Sequence, residues 1–177
     1  MGWTAPLTAV TNTMLSAGQW NASVRDNLEE TTPAVATVGR RIFVTDGDNK
    51  IAERDIKDHI VDAKEETTST SYTDLDTLGP IITIETGQAA LVWICSHMSN
   101  TGSTNSLHSY AVSGETTIAT DDNKARDVDG GDGGFGDRCT VTNLDATNPG
   151  TNIFTSKYKV TGGTGTFQKR RLIVMGL

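Results

Sequence analysis

The densest run of possible metal ligands is an Asp/Gly-rich stretch at residues 121–137. Calcium binds several carboxylate and carbonyl oxygens on a flexible backbone, and Asp127, Asp129 and Asp132 stand among glycines that would allow this. The spacing matches neither the EF-hand loop, whose closing glutamate is missing, nor the nonapeptide calcium repeat. The stretch therefore predicts a solvated surface loop, with a calcium site at these three aspartates as the alternative and no other cofactor.

Two histidines, His97 and His108, flank the segment 99–105 symmetrically. If that segment folds back as a hairpin, the two imidazoles face each other on adjacent strands and could bind zinc together with a third ligand. The sequence shows no evident third ligand. The spacing therefore favours a cross-strand pair of surface histidines.

Sequence patterns typical of an active site are absent. The Gly-x-Ser-x-Gly nucleophile motif does not occur. Adjacent carboxylates such as Asp121 and Asp122 stand in loop-like sequence, without apolar surroundings that would raise the pKa of one of them. The glycine-rich run 162–166 lacks the lysine of a phosphate-binding loop and precedes a predicted strand. We expect a protein that is not an enzyme.

The two cysteines, Cys95 and Cys139, are too few for a cysteine-rich structural zinc site. The sequence favours two free thiols, buried as small apolar side chains. One disulfide between two strands is the alternative, so the redox compartment stays open.

Composition and charge limit the class of protein. The 177 residues include 28 Thr and 18 Gly, with few long-chain helix formers, which favours strands and turns over a helical bundle. The net charge of −7 disfavours nucleic acid as a partner. No apolar run is long enough to cross a bilayer, so we also expect no membrane insertion.

One amphipathic helix is predicted in an N-terminal anchor segment, residues 1–35. Ser16 and Gln19 have the spacing of a capping box. The apolar side chains form one narrow stripe at Leu15, Trp20, Val24 and Leu28. A helix this short is marginal in water by itself, so the stripe must lie against the rest of the chain or against a partner.

Residues 36–66 predict a neck. A strand at 41–45, a turn at 46–49 and a return strand from Lys50 form a hairpin. The remainder, up to residue 66, is polar and fits either a short helix or an extended connector. The segment is too short and too polar to bury a core of its own.

Residues 67–177 predict a mainly β domain, an eight-stranded antiparallel jelly-roll β-sandwich. Turn signals rich in Gly, Pro and Asn separate the candidate strands. These strands are 71–78, 81–85, 89–98, 107–113, 116–120, 138–144, 152–160 and 166–175.

Two of these strands are apolar on both faces, at 89–95 and 172–175. Only one face of a strand can meet the core of a sandwich, so the other face needs a second cover. We expect neighbouring copies of the chain to provide it, with the neck or a long loop as the alternative. The predicted trimer interface consists of Leu91, Trp93, Leu172 and Val174.

The order of several motifs along nearly the whole chain resembles small tail-fibre and minor virion proteins of tailed bacteriophages. The similar stretches are 3–5, 15–21, 24–28, 41–52, 71–75, 79–80, 86–92 and 171–175. The resemblance implies a virion structural protein whose N-terminal helix attaches to the particle. It also implies that the C-terminal domain, similar to the tumour-necrosis-factor fold, projects as a trimer.

The sequence and this resemblance together lead to one main hypothesis and two alternatives. The main hypothesis is a homotrimeric fibre, spike or decoration protein that binds other virion proteins of the capsid, collar or tail, and a host-surface glycan through its loops. The first alternative is a lectin-like carbohydrate-binding module with a calcium-supported Asp/Gly loop. The second, a hydrolytic fibre domain, lacks a recognisable nucleophile and base.

Overall fold

The computed structural model describes residues 14–29, 36–39, 41–46, 50–130, 136–144 and 146–177. The chain divides into two units, Met1–Asp55 and Ile56–Leu177. The boundary therefore falls inside the predicted neck, and residues 56–66 belong to the same unit as the β domain.

The predicted N-terminal helix begins where its capping signal stands. The Ser16 Oγ accepts a hydrogen bond from the Gln19 backbone N–H at 3.2 Å. The Ser16 backbone N–H in turn donates to the Gln19 Oε1 at 2.9 Å, which completes the capping box. The helix runs as α1 (Ala17–Trp20), a π-helical stretch (Asn21–Arg25) and α2 (Asp26–Glu29). No helix in the described ranges is long and apolar enough to span a membrane.

The predicted neck hairpin is also confirmed. Strands β1 (Ile42–Thr45) and β2 (Ile51–Arg54) pair antiparallel, with Thr45 opposite Ile51. An ion pair of 2.9 Å between Arg41 and Asp55 joins the two ends of the hairpin.

The second unit consists of two antiparallel sheets. Its strands are β3 (Ile56–Val61), β4 (Glu65–Thr67), β5 (Ile81–Thr86), β6 (Ala90–Asn100), β7 (Asn105–Gly114), β8 (Arg126–Asp129), β9 (Gly136–Leu144), β10 (Gly150–Val160) and β11 (Gly165–Gly176). One sheet has the order β5-β10-β7-β8. The other has the order β3-β11-β6-β9, and β4 pairs with the beginning of β11.

Two predicted strands are wrong, because each forms only an isolated bridge. Within 71–78, Thr73 alone pairs with Tyr158, and within 116–120, Ile118 alone pairs with Val112. The remaining predicted strands are present with small shifts at their ends. Three further strands occur where the sequence predicted other structure: β3 and β4 in the neck, and β8 in the acidic loop.

The inner faces of the two sheets together form the core. The four-stranded sheet contributes Ile82, Ile84, Tyr110, Val112 and Phe154, and the five-stranded sheet contributes Ala90, Val92, Ile94, Leu144, Leu172 and Val174. Leu75, Met98, Tyr158 and Phe167 form a second, smaller cluster. The second cluster borders buried polar side chains, since the Tyr158 ring stacks on His108.

Candidate functional site

Strand β6 has one buried side and one partly exposed side, and both carry apolar residues. Its residues alternate along the whole strand between buried and partly exposed. Val92 and Ile94 are fully buried in the core, whereas Leu91 and Trp93 point away from it. The run of apolar residues that the sequence shows here therefore serves two surfaces, only one of which is the core.

Strand β11 alternates in the same way beside β6. Leu172 and Val174 are fully buried, whereas Ile173 and Met175 are partly exposed. Half of the predicted trimer interface is therefore misplaced, because Leu172 and Val174 are core residues. The reason is an irregularity at Lys169, where the register with β6 shifts and the inside-outside alternation of β11 is inverted.

The strand register brings the outward apolar side chains together. Trp93 lies opposite Ile173 on one side and opposite Val141 on the other, and Leu91 lies opposite Met175. Strand β3 extends the row, since Ile56 lies opposite Met175. We call this surface the outer apolar face; it consists of Ile56, Ile60, Leu91, Trp93, Val141, Ile173 and Met175.

The apolar side chains at the margins of this face are unusually exposed to solvent. Val141 on β9 is 56% exposed, and Ile56 and Ile60 on β3 are 48% and 45% exposed. An ion pair of 2.8 Å between Arg171 and Asp58 crosses from β11 to β3 on the same side of the sheet. The face therefore combines apolar side chains with one ion pair, whose Asp58 lies between Ile56 and Ile60 along β3.

The cysteines form a disulfide on this side of the sheet, so the prediction of free thiols is wrong. Cys95 and Cys139 lie directly opposite each other on β6 and β9, with their Cα atoms 4.2 Å apart. Facing positions in neighbouring antiparallel strands bring side chains close enough to be bridged. The bond crosslinks the edge strand β9 to the middle of its sheet.

The candidate calcium ligands lie on a strand rather than in a loop, as far as they are described. Asp127 and Asp129 are exposed residues of β8, and the Asp127 Oδ2 accepts a hydrogen bond of 2.7 Å from Asn105. Asp132 lies outside the described residues. Within the described ranges, no group of three His, Cys, Asp or Glu side chains could hold a metal ion. No observation there favours the lectin-like alternative.

The predicted histidine pair does not form. The segment 101–104 connects β6 to β7, which belong to different sheets, so it crosses between the sheets instead of closing a hairpin. His97 points outward from β6 and is partly exposed, whereas His108 points inward from β7 and is fully buried. His108 therefore belongs to the interior.

His108 is the centre of a group of polar side chains that we call the inter-sheet polar cluster. The cluster contains Glu65, Ser96, His108, Arg126, Ser156, Tyr158 and Arg170, of which all but Glu65 are buried. The His108 Nδ1 lies 3.0 Å from the Ser96 Oγ, and its Nε2 lies 3.0 Å from the Ser156 Oγ. Burial, and then the charges of Arg126 and Arg170, hold the pKa of His108 well below its usual value.

The predicted anchor residues remain at the surface of the helix. Leu15, Trp20 and Leu28 are 53%, 55% and 60% exposed, and Val24 is partly exposed. The helix therefore presents its apolar stripe largely to solvent in the isolated chain.

Comparison with known proteins finds only distant structural similarities. No family model matches the sequence, and no curated protein matches it. The VP2 subviral particle of infectious bursal disease virus is similar at 14% identity and a TM-score of 0.38, over 80% of this chain and 37% of that chain. Structures of the Gx and Gt strains of the same virus give 12% identity, TM-scores of 0.36 and 0.34, and the same 80% of this chain against 36% of theirs.

The chain thus spans well under half the length of these viral proteins. At so low a structural similarity, the likeness assigns neither a family nor a function.

Proposed function

We propose that the chain is a non-enzymatic structural protein of a tailed-phage virion, whose β unit assembles as a homotrimer. The observation that carries the proposal is the outer apolar face. Both sheets have already used their inner faces for the core, so this surface has no remaining role within the fold of the β unit. A partly exposed apolar sheet face marks a protein contact more often than a solvated surface.

The strand order supports a jelly roll as the trimerising domain. Eight strands, β3 and β5 to β11, divide into the orders β3-β11-β6-β9 and β5-β10-β7-β8. Each strand thus has the neighbours within its sheet that are expected when two Greek keys form a two-sheet sandwich. The outer apolar face lies on the sheet that contains the first and last strands of this set.

A second copy of the chain is the occupant that best fits this face. The face carries apolar side chains and the Arg171–Asp58 ion pair, which contributes one charge of each sign, so copies of this face can pack around a common axis without opposing like charges throughout. The virion location rests on the resemblance to phage virion proteins. In this proposal the exposed stripe of the N-terminal helix binds another virion protein of the capsid, collar or tail, and loops of the β unit contact a host-surface glycan.

Size-exclusion chromatography with light scattering on the full chain tests the assembly. We expect the mass of three copies for the wild type and of one copy for Trp93→Glu, which places a charge in the middle of the outer apolar face. Thr83→Glu is the matched control, because Thr83 is exposed on the other sheet and should leave three copies. A wild type that runs as a single copy at micromolar concentration overturns the trimer.

The virion assignment needs a separate experiment. An antibody to the chain, used for immunogold electron microscopy on purified particles of the virus that encodes it, should label a fixed position on each particle. If the particles stay unlabelled although the infected culture contains the protein, the assignment is contradicted.

A further inference from the structure

The inter-sheet polar cluster connects the two sheets through His108 and Arg126. His108 belongs to the four-stranded sheet, and its Nδ1 contacts Ser96 of the five-stranded sheet. Arg126 crosses in the same direction, since its Nη1 donates to the Ser96 carbonyl oxygen at 2.6 Å and to the Ser96 Oγ at 3.2 Å. These contacts replace apolar packing over this part of the core.

The contacts around His108 are directional. A guanidinium only donates hydrogen bonds, so the Ser96 Oγ accepts from Arg126 and its own hydrogen is available for the His108 Nδ1. In that arrangement Nδ1 is an acceptor without a hydrogen, and the Nε2 that carries the hydrogen lies 3.0 Å from the Ser156 Oγ. The neutral Nε2–H tautomer satisfies every contact in this chain of hydrogen bonds.

The charges that face His108 oppose a second proton on its ring. Arg126 approaches from β8, and Arg170 approaches from β11, where its guanidinium lies 5.3 Å from the centre of the Tyr158 ring. The Tyr158 ring itself, on β10, stacks on His108 at 4.7 Å. The carboxylate of this cluster is that of Glu65 on β4, and it is already engaged by Arg170 at 2.8 Å. Ser96 on β6 and Ser156 on β10 carry no charge.

We propose that His108 is an acid-sensitive lock between the two sheets. In its neutral form it joins them through Ser96 on β6, while Ser156 on β10 holds the ring from within its own sheet. A proton taken from solvent onto Nδ1 turns this acceptor into a donor that faces the Ser96 hydroxyl, and it adds a third cation beside Arg126 and Arg170. The contact with Ser96 is lost, and the polar end of the sandwich opens. This inference does not depend on the proposed virion function.

The direction of the pH effect follows from the two states. The unfolded chain binds a proton at His108 near the ordinary histidine value of about 6.5, whereas the folded chain resists it. Acid therefore favours the open or unfolded state as the pH falls below about 6.5. Uptake of this one proton raises the unfolding constant by up to about tenfold for each unit by which the pH falls below this value. Above that range His108 is neutral in both states and contributes no pH dependence.

Urea unfolding of the full chain at one protein concentration, from pH 8 to pH 5, tests the lock. The variants are His108→Gln, which cannot titrate, and the controls His59→Gln and His97→Gln on the outside of the same unit. Relative to His108→Gln, the unfolding constant of the wild type should rise by close to tenfold per pH unit below pH 6.5. Both control variants should keep that rise. A wild type and a His108→Gln variant with parallel pH profiles overturn the proposal.

A second measurement on the wild type covers the case in which His108→Gln does not fold. Nitrogen-15 NMR of the three histidine rings distinguishes the tautomers and follows their titration. We expect His108 as the neutral Nε2–H tautomer, with unchanged shifts from pH 8 down to the point where the folded signals disappear. A His108 ring that titrates near pH 6.5 within the folded protein refutes the lock.

Discussion

The guanidinium of Arg170 lies 2.8 Å from the carboxylate of Glu65, and no part of the Arg170 side chain is exposed. The approach of the two groups is outside hydrogen-bond geometry, so the contact is an ion pair, supplemented by a 3.4 Å hydrogen bond from Arg170 to the Thr77 carbonyl. Removing two charges from water costs free energy that only close pairing offsets. The pair is therefore sensitive to the loss of either partner.

We expect Glu65→Gln to destabilise the β unit by roughly 3–5 kcal/mol, because it leaves the buried charge of Arg170 without its counter-charge. The double variant Glu65→Gln/Arg170→Met should recover most of this loss, since it removes both charges and keeps the volume. Urea unfolding of the single and double variants measures both values. A double variant that is less stable than Glu65→Gln alone contradicts this account.

The backbone next to this pair explains how Arg170 enters the core. Lys169 has a φ of +48°, in the left-handed region that favours glycine, at the point where the register between β11 and β6 shifts. Such an extra residue in one strand inverts the alternation that follows it. Phe167 before the shift and Arg170 after it both point inward.

The effect of a substitution at Lys169 on stability should depend on how well the new residue tolerates this backbone conformation. Lys169→Gly should leave the stability unchanged or raise it by up to about 1 kcal/mol, because relief of the left-handed strain exceeds or balances the added freedom of the unfolded chain. Lys169→Val should lower it by about 1–2 kcal/mol, since a β-branched residue tolerates this conformation least. Thermal unfolding distinguishes the two variants, and equal losses for Gly and Val would show that the conformation is not the cause.

Local signals in the sequence predict the elements that depend on neighbouring residues. The capping box of Ser16 and Gln19 marks the helix start, and the hairpin of residues 42–54 follows its turn signal. The long apolar strands are recognisable by their β-branched residues. Strand β8 is not recognisable, because its exposed Asp127 and Asp129 give the composition of a loop.

Features that depend on distant pairing could not be read from the sequence. Strict alternation from Phe167 places Leu172 and Val174 outside, as predicted for the trimer interface, and only the irregularity at Lys169 reverses this. The facing positions of Cys95 and Cys139 require the register between β6 and β9. No local pattern encodes either fact.

The disulfide should contribute to stability chiefly by restricting the unfolded chain. Cys95 and Cys139 are separated by 44 residues, for which the chain-entropy account gives about 4 kcal/mol, the upper end of the usual range of about 2–4 kcal/mol. We expect the variant Cys95→Ala/Cys139→Ala to lose that amount in urea unfolding, and a single Cys139→Ala variant to lose a similar amount. Wild type unfolded in the presence of dithiothreitol is the control, and it should match the double variant. A double variant as stable as the oxidised wild type argues against the bond.

Adjacent residues of β11 allow the core and the outer apolar face to be tested separately. Leu172 is fully buried in the core cluster, so Leu172→Ala should lower the stability by about 2–5 kcal/mol and leave the native mass unchanged. Ile173 lies on the outer apolar face opposite Trp93, so Ile173→Asp should lower the native mass from three copies to one.

Far-ultraviolet circular dichroism of the Ile173→Asp variant should match that of the wild type, because no core contact is removed. Light scattering at several protein concentrations then measures the assembly, and urea unfolding at low concentration measures the β unit alone. The reverse pattern, with dissociation by Leu172→Ala and a large loss of stability in monomeric Ile173→Asp, would mean that the inward and outward faces of β11 are exchanged. The outer apolar face, and with it the proposed mode of assembly, would then have to be abandoned.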